Sequence, residues 1–312
     1  NVDGFRFDLM GIHDVETMNA IRQAMDEVDP RILLYGEGWD MGTGLRPEDK
    51  AKKDNAYQLP RIGFFNDTER DAVKGAEVYG GIKAGFVSGQ ATEDIVAKSI
   101  LGSSELGSYR SPDQVLNYVE AHDNFNLHDL LAELHPDDDV LTRTKRIELA
   151  TAMNLLMQGM AFMELGQEFS RTKLVATGED GQVLPSDRER AMNSYNAPDT
   201  VNQVNWNLLQ DHQESIDFIK DIIRLKTSCK AFSYQTYEDI YKHVFVQSAE
   251  QGSGLIIFEI KDDKHYQVIF NASGLPYYLP NADKLRLLVG NSRHKKPFYV
   301  ENLTVSVFEV IQ

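Results

Sequence analysis

Short apolar runs of strand character alternate with amphipathic helical segments from the start of this chain to about Ser170, and that alternation limits the folds open to it. A strand pattern at Phe5–Leu9 is followed by a helical period through Thr17, Ile21, Ala24 and Val28 that stops at Asp29-Pro30. Strand patterns return at Ile32–Tyr35, Ile62–Asn66, Val115–Ala121 and the MAFMELG segment, with helical patterns at Glu93–Leu101 and Leu141–Gln158 between them. Strands separated by helices predict an α/β architecture, a parallel sheet buried on both faces.

Beyond Ser170 the pattern changes. A polar loop rich in Gly, Asp and Asn runs to Trp206, and HQESIDFIKDIIRLK reads as a last amphipathic helix. From about Tyr237 no convincing helix follows. The runs HVFVQ, LIIFEI, YQVIFNA and LTVSVFEV, divided by turn sequences such as DDK and NASG, predict antiparallel strands. Two units result, an α/β unit over 1–232 and a small β-sandwich domain over 233–312. The first residues, NVDGFRFD, start inside a strand pattern without cap or lead-in, which suggests part of a longer chain.

Composition narrows the function classes. At 42% apolar and 26% charged, the chain reads as a globular protein, and no run approaches the ~20 apolar residues of a membrane span. Its net charge of −16 repels phosphate backbones and anionic lipid, so neither nucleic acid nor membrane is expected as a partner, whereas a neutral substrate is compatible. The one cysteine, Cys229, cannot form an internal disulfide and reads as a packed thiol at a helix end; it leaves the compartment, cytoplasmic or secreted, open.

Three acids stand where strand patterns give way to loops: Asp8 after GFRF, Glu37 after ILLYG and Asp123 after NYVEAH. Carboxylates gathered at the ends of parallel strands suit glycosidic bond cleavage, in which one acid protonates the leaving oxygen and another attacks the sugar carbon. In a strand, Arg6 and Asp8 share a face, and an arginine beside a carboxylate keeps it ionised, as a nucleophile requires; a buried structural ion pair fits the same pattern. Glu37 lies between Gly36 and Gly38, small neighbours that would admit a bulky ligand, with the indole of Trp39 offering a flat face to a sugar ring. An apolar setting would raise the Glu37 pKa toward that of a proton donor; a solvated glutamate in a glycine turn is the alternative. His122 and Asp123 would face opposite ways in a regular strand, so both can line one site only where the strand opens, at Asn124.

These segments carry a resemblance. GFRFDLMG, YGEGWD and YVEAHDN resemble three signature segments of the α-amylase superfamily of retaining glycoside hydrolases (glycoside hydrolase family 13). FFNDTERDAVKG, GQEFSRTK and NSYNAPDTVNQVNW resemble the type I pullulanase branch, which debranches pullulan and related α-glucans. The resemblance implies a (β/α)8 TIM-type barrel of which only strands 4 to 8 are present, followed by the small antiparallel domain. It implies Asp8 as nucleophile, Glu37 as general acid/base and Asp123 as the carboxylate that stabilises the transition state. Arg6, Trp39, His122 and Asn124 match substrate-binding positions, and Asn196 and Asp199 match a loop bordering the sugar sites. The substrate would be an α-glucan: pullulan, branched maltooligosaccharides or limit dextrins. No cofactor is required, and a peripheral calcium is possible. The third-strand signature and the Tyr-Asn-Trp-Gly-Tyr-Asp-Pro hallmark are absent, so the missing amino-terminal part of the same enzyme becomes an expected partner.

Three other readings stay open. An isoamylase or an α-1,4-acting amylase would carry the same acids, and a fragment lacking strands 1 to 3 could bind glucan without cleaving it. A carboxylate cluster could also hold a divalent metal, as in a phosphatase, although Arg6 beside Asp8 argues against a cation there.

Overall fold

The computed structural model describes residues 2–78, 81–292 and 298–311. Strand β1 (Gly4–Phe7) leads through helix α1 (Val15–Val28) to β2 (Leu33–Gly36) and then β3 (Ile62–Phe65). Asp14 starts α1 by accepting the Thr17 N–H at 2.6 Å, and Pro30 follows its last turn, a stop and a start both legible in sequence. Next come α2 (Asp67–Val73), a hairpin of β4 (Gly75–Val78) and β5 (Gly81–Ala84), α3 (Glu93–Ile100) and β6 (Val115–Asn117). Helices α4 (Leu127–Leu134) and α5 (Val140–Leu156) precede β7 (Met160–Ala161).

Strands β1, β2, β3, β6 and β7 form one sheet in that order, every neighbouring pair parallel. One face packs Leu34, Ile62, Phe64 and Val115 against Met10 and against Met18 of α1. The other carries Tyr35, Phe65, Leu116 and Met160, with Tyr118 and Phe162 just past the strand ends. Its rings meet edge-on: Phe65 lies 5.0 Å from Tyr118, 5.4 Å from Phe162 and 5.9 Å from Tyr35, centroid to centroid. Arg6, in register with Tyr35, stands over Phe65 on this face.

Strand β6 ends at Asn117, not at Ala121, because polar side chains take over the ladder. The Glu69 carboxylate accepts the Tyr118 N–H at 3.1 Å, and Asn117 bonds Asn66 and the Gln158 carbonyl, each at 2.9 Å. Strand β7 covers two residues of MAFMELG, and Asn154 of α5 donates to the Phe162 carbonyl.

The segment expected as a polar loop contains two short helices, α6 (Pro185–Met192) and α7 (Asp199–Asn202), and a third, α8 (Leu208–Asp211), follows just past Trp206. Helix α9 (Gln213–Ser228) follows, with Cys229 at its end 3.2 Å from the Tyr266 hydroxyl. A further helix, α10 (Tyr237–His243), lies where none was expected; seven residues are too few to show a helical period, and it is started by Thr236 accepting the Asp239 N–H.

Strands β8 (Val244–Ser248), β9 (Leu255–Lys261), β10 (His265–Asn271), β11 (Tyr277–Tyr278), β12 (Leu285–Gly290), β13 (Tyr299–Val300) and β14 (Thr304–Val310) complete the chain. Five of them form an antiparallel sheet in the order β12-β14-β10-β9-β8, while β11 and β13 pair as a separate ribbon. Alternate residues divide between its faces: Ile257, Ile269 and Phe308 meet the ribbon's Val300, whereas Phe258, Val268, Phe270 and Val307 join the core formed by α3, α5 and α9. Among the described residues no helix is long and apolar enough to cross a membrane.

Candidate active site

One cavity opens at the carboxyl ends of the parallel strands, and Arg6, Glu37, Trp39, His122, Asp123 and Asn124 all line it. Glu37 sits one residue past β2 and is 4% exposed. Its backbone N–H donates to the Phe7 carbonyl, so parallel pairing with β1 fixes its height. Its carboxylate accepts from Arg6 Nη2 at 2.5 Å through Oε1 and from the Leu9 N–H at 2.7 Å through Oε2. Leu9 donates from a left-handed turn, φ 47°, that bends the chain directly after Asp8.

Burial raises the Glu37 pKa above its usual value, the negative charges of Asp8 and Asp123 add to the rise, and the Leu9 N–H and Arg6 oppose it without cancelling it. A buried carboxyl whose pKa is raised at the wall of a cavity, with two other carboxylates nearby, is a setting suited to proton transfer.

Asp8 does not line the cavity. It stands beside it, 71% exposed, with Arg6 Nη1 at 3.2 Å. Arg6 therefore bridges two acids, and its shorter bond goes to Glu37, whereas sequence patterning paired it with Asp8 alone.

The flanking glycines serve packing rather than ligand access. A Cβ on Gly36 would lie 2.5 Å from the Phe7 carbonyl oxygen and one on Gly38 2.4 Å from the Phe64 ring; Gly11, elsewhere in sequence, packs as closely, its Cβ position being 1.9 Å from the Trp39 carbonyl oxygen. Trp39 is thereby held at the rim, where its indole N–H donates to Asp67 at 3.0 Å. Tyr118 donates to the other Asp67 oxygen at 2.6 Å and accepts from Arg70.

His122, Asp123 and Asn124 lie beyond the end of β6 in irregular backbone, so both His122 and Asp123 reach the cavity as the opening of the strand required. Asn124 is left-handed, φ 65°, and His122 Nε2 lies 3.7 Å from Asp123 Oδ1. Asn196 and Asp199 are exposed and do not line the cavity. Their loop is folded around Asn202, which donates to the carbonyls of Ser194 and Ala197, and is tied down by Arg171 donating to the Asn202 carbonyl.

Patterning pointed to neither Arg70 nor Lys74, which face the cavity from α2 and just beyond its end. Their spacing, four apart within DTERDAVKG, was the available signal. Behind the cavity lie buried acids that no period marks: Glu69 and Glu120 are both pushed up to about 8 by burial. Among the described residues no group of three or more His, Cys, Asp or Glu is arranged to hold a metal ion.

No family model matches the chain. It is 36% identical over 302 residues to a pullulanase of Bacillus subtilis (strain 168), covering 92% of this chain and 39% of that protein. The crystal structure of a pullulanase from Anoxybacillus sp. LM18-11 complexed with maltotetraose superimposes with a TM-score of 0.87 at 36% identity, over 99% of this chain and 44% of that one. A type I pullulanase from Bacillus subtilis str. 168 complexed with maltose gives 0.84 at 32% identity, over 100% and 44%. The chain thus spans about two fifths of the length of the relatives it matches.

Proposed function

The chain belongs with the type I pullulanases, whose carboxyl-terminal part it matches, and from that premise we propose that it carries the catalytic acids of a retaining α-1,6-glucosidase. The five parallel strands are read as strands 4 to 8 of a (β/α)8 barrel, with the edges of β1 and β7 left for three more strands. Residues 1–232 are then barrel and 233–312 a carboxyl-terminal β-sandwich domain. The missing barrel strands would come from the amino-terminal part of the same enzyme.

The observation that carries the chemistry is the placing of Glu37, buried at the wall of the cavity that Asp123 also lines and joined to Asp8 through Arg6, a setting that raises its pKa. In the first step the Asp8 carboxylate attacks the anomeric carbon. The bond to the α-1,6-linked oxygen breaks, and Glu37 delivers its proton to that oxygen. In the second, ionised Glu37 takes a proton from water, whose oxygen displaces Asp8 with net retention. Asp123 stabilises the oxocarbenium-like transition state more than the bound substrate. Arg6 holds both reacting carboxylates, while Trp39, His122 and Asn124 contact the sugar at the bond to be cut. Asn196 and Asp199 border the sugar sites from their outer loop. Pullulan, branched maltooligosaccharides and limit dextrins are the substrate class, in keeping with the maltotetraose and maltose of the related crystal structures.

Product analysis on pullulan tests the linkage: maltotriose as sole product means α-1,6 cleavage, whereas other products point to an isoamylase or an α-1,4-amylase. Asp8→Asn should abolish turnover and spare glucan binding; undiminished hydrolysis would sink the assignment of Asp8.

One observation favours a second reading for these 312 residues taken alone. With Asp8 71% exposed, water is not excluded from the proposed nucleophile, so the piece by itself is read as binding glucan without cleaving it. Calorimetric titration with a branched maltooligosaccharide beside a reducing-sugar assay separates binding from turnover.

A further inference from the structure

Lys173 is 1% exposed, yet its ammonium faces no carboxylate at ion-pair distance among the described residues. Its three N–H donors meet three neutral oxygens instead: the His122 carbonyl at 2.8 Å, the Asn124 carbonyl at 2.5 Å and Ser194 Oγ at 3.2 Å. The two carbonyls flank Asp123, and they converge on one cation because Asn124 takes the left-handed conformation. Among the described residues the Asp123 carboxylate has no hydrogen bond of its own, only the 3.7 Å approach of His122. Its place is therefore set by its backbone.

The anchor is itself held. The Lys173 N–H donates to Asp129 Oδ2 at 2.8 Å, and Thr172 bonds the other oxygen of Asp129, a fully buried residue in the first turn of α4. Burial lowers the Lys173 pKa, and the negative charges of Glu164 and Asp129 oppose that fall. Three donors splayed from one point suit three separate oxygens, a geometry a planar guanidinium does not reproduce.

We propose that Lys173 is a positioning residue: it fixes the third carboxylate, Asp123, at the cavity and, through Ser194, couples it to the loop that carries Asn196 and Asp199. The proposal rests on the role given to Asp123 above. A displacement of about 1 Å of such a group can cost about 100-fold in rate.

Lys173→Met, Asp123→Asn and the double variant of the full-length protein test it by two readouts. Hydrogen exchange over 118–126 should accelerate in Lys173→Met and stay unchanged in Asp123→Asn, whatever the reaction catalysed; unchanged exchange in Lys173→Met overturns the tether. On pullulan, Lys173→Met should lower kcat about 100-fold with KM held within about threefold, and in the Asp123→Asn background it should cost less than about threefold more. Losses that multiply in the double variant overturn the positioning role. Full turnover by Asp123→Asn overturns instead the role of Asp123, and with it the coupling to catalysis, while the exchange result still decides the tether. Should Lys173→Met fail to fold, Ser194→Ala removes one of the three contacts: faster exchange over both 118–126 and 193–206 supports the coupling, and unchanged exchange in both overturns it.

Discussion

Arg6 stands between two acids, and the bond lengths say which one it serves more closely. With 2.5 Å to Glu37 and 3.2 Å to Asp8, its charge opposes the burial that raises the Glu37 pKa. Removing that charge as Arg6→Met should push the Glu37 pKa higher still, so the alkaline limb of kcat/KM, where a general acid is lost by deprotonation, should move to higher pH. A pH-rate profile on a branched maltooligosaccharide checks this; a limb that stays in place or moves down would detach Glu37 from the acid role. Glu37→Gln should cost about 10²–10⁴-fold in kcat on pullulan with KM little changed.

At the scale of elements, packing constrains the loop that presents Glu37. Gly38→Ala would drive a methyl into the Phe64 ring and should destabilise the fold by about 1–3 kcal/mol in urea unfolding; an unchanged midpoint would contradict the described path. Glu69, fully buried in α2 and capping the end of β6, gives a pH signature. Its pKa rises from 4.5 to about 8 on folding, so the folded state holds the extra proton between those values. The stability it contributes is fully present below 4.5 and is lost as pH rises toward 8, at no more than about 1.4 kcal/mol per pH unit. Glu69→Gln should flatten that slope, read as unfolding midpoints at pH 5 and pH 7.5; a slope equal to that of the parent would exclude Glu69 as its source.

These elements also show what the sequence made legible. The strand–helix alternation located every strand of the parallel sheet, because apolar period and turn residues are local signals. Strand β6 was read four residues too long, because the side chain that ends it, Glu69, comes from a different element. Helix α10 was too short for a period, and strand β12 went unread beside its bulge. Glu37, Trp39, His122, Asp123 and Asn124 were legible as cavity residues since each closes or follows a strand pattern, and Arg6 because it shares a strand face with Asp8. Lys173 was not, because its role depends on carbonyls fifty residues away in sequence.

Over the whole molecule, the antiparallel sheet and the helices of the α/β part share one apolar core. Val307 and Phe258 pack with Met153 of α5 and Ile222 of α9, and Glu148 of α5 accepts from both Ser215 and Asn291. Both tryptophans, Trp39 and Trp206, lie outside that sheet. Tryptophan fluorescence and far-ultraviolet circular dichroism should therefore report coincident unfolding in urea; a separate transition for the sheet would show that the shared core does not couple the two parts. The central claim, that this chain supplies nucleophile and acid to one retaining site, is tested most directly by trapping the intermediate. Glu37→Gln in the full-length protein, given an α-maltotriosyl fluoride whose leaving group needs no protonation, should accumulate a covalent glycosyl adduct that peptide mass spectrometry maps to Asp8. An adduct on Asp123, or none while fluoride is still released, would contradict it.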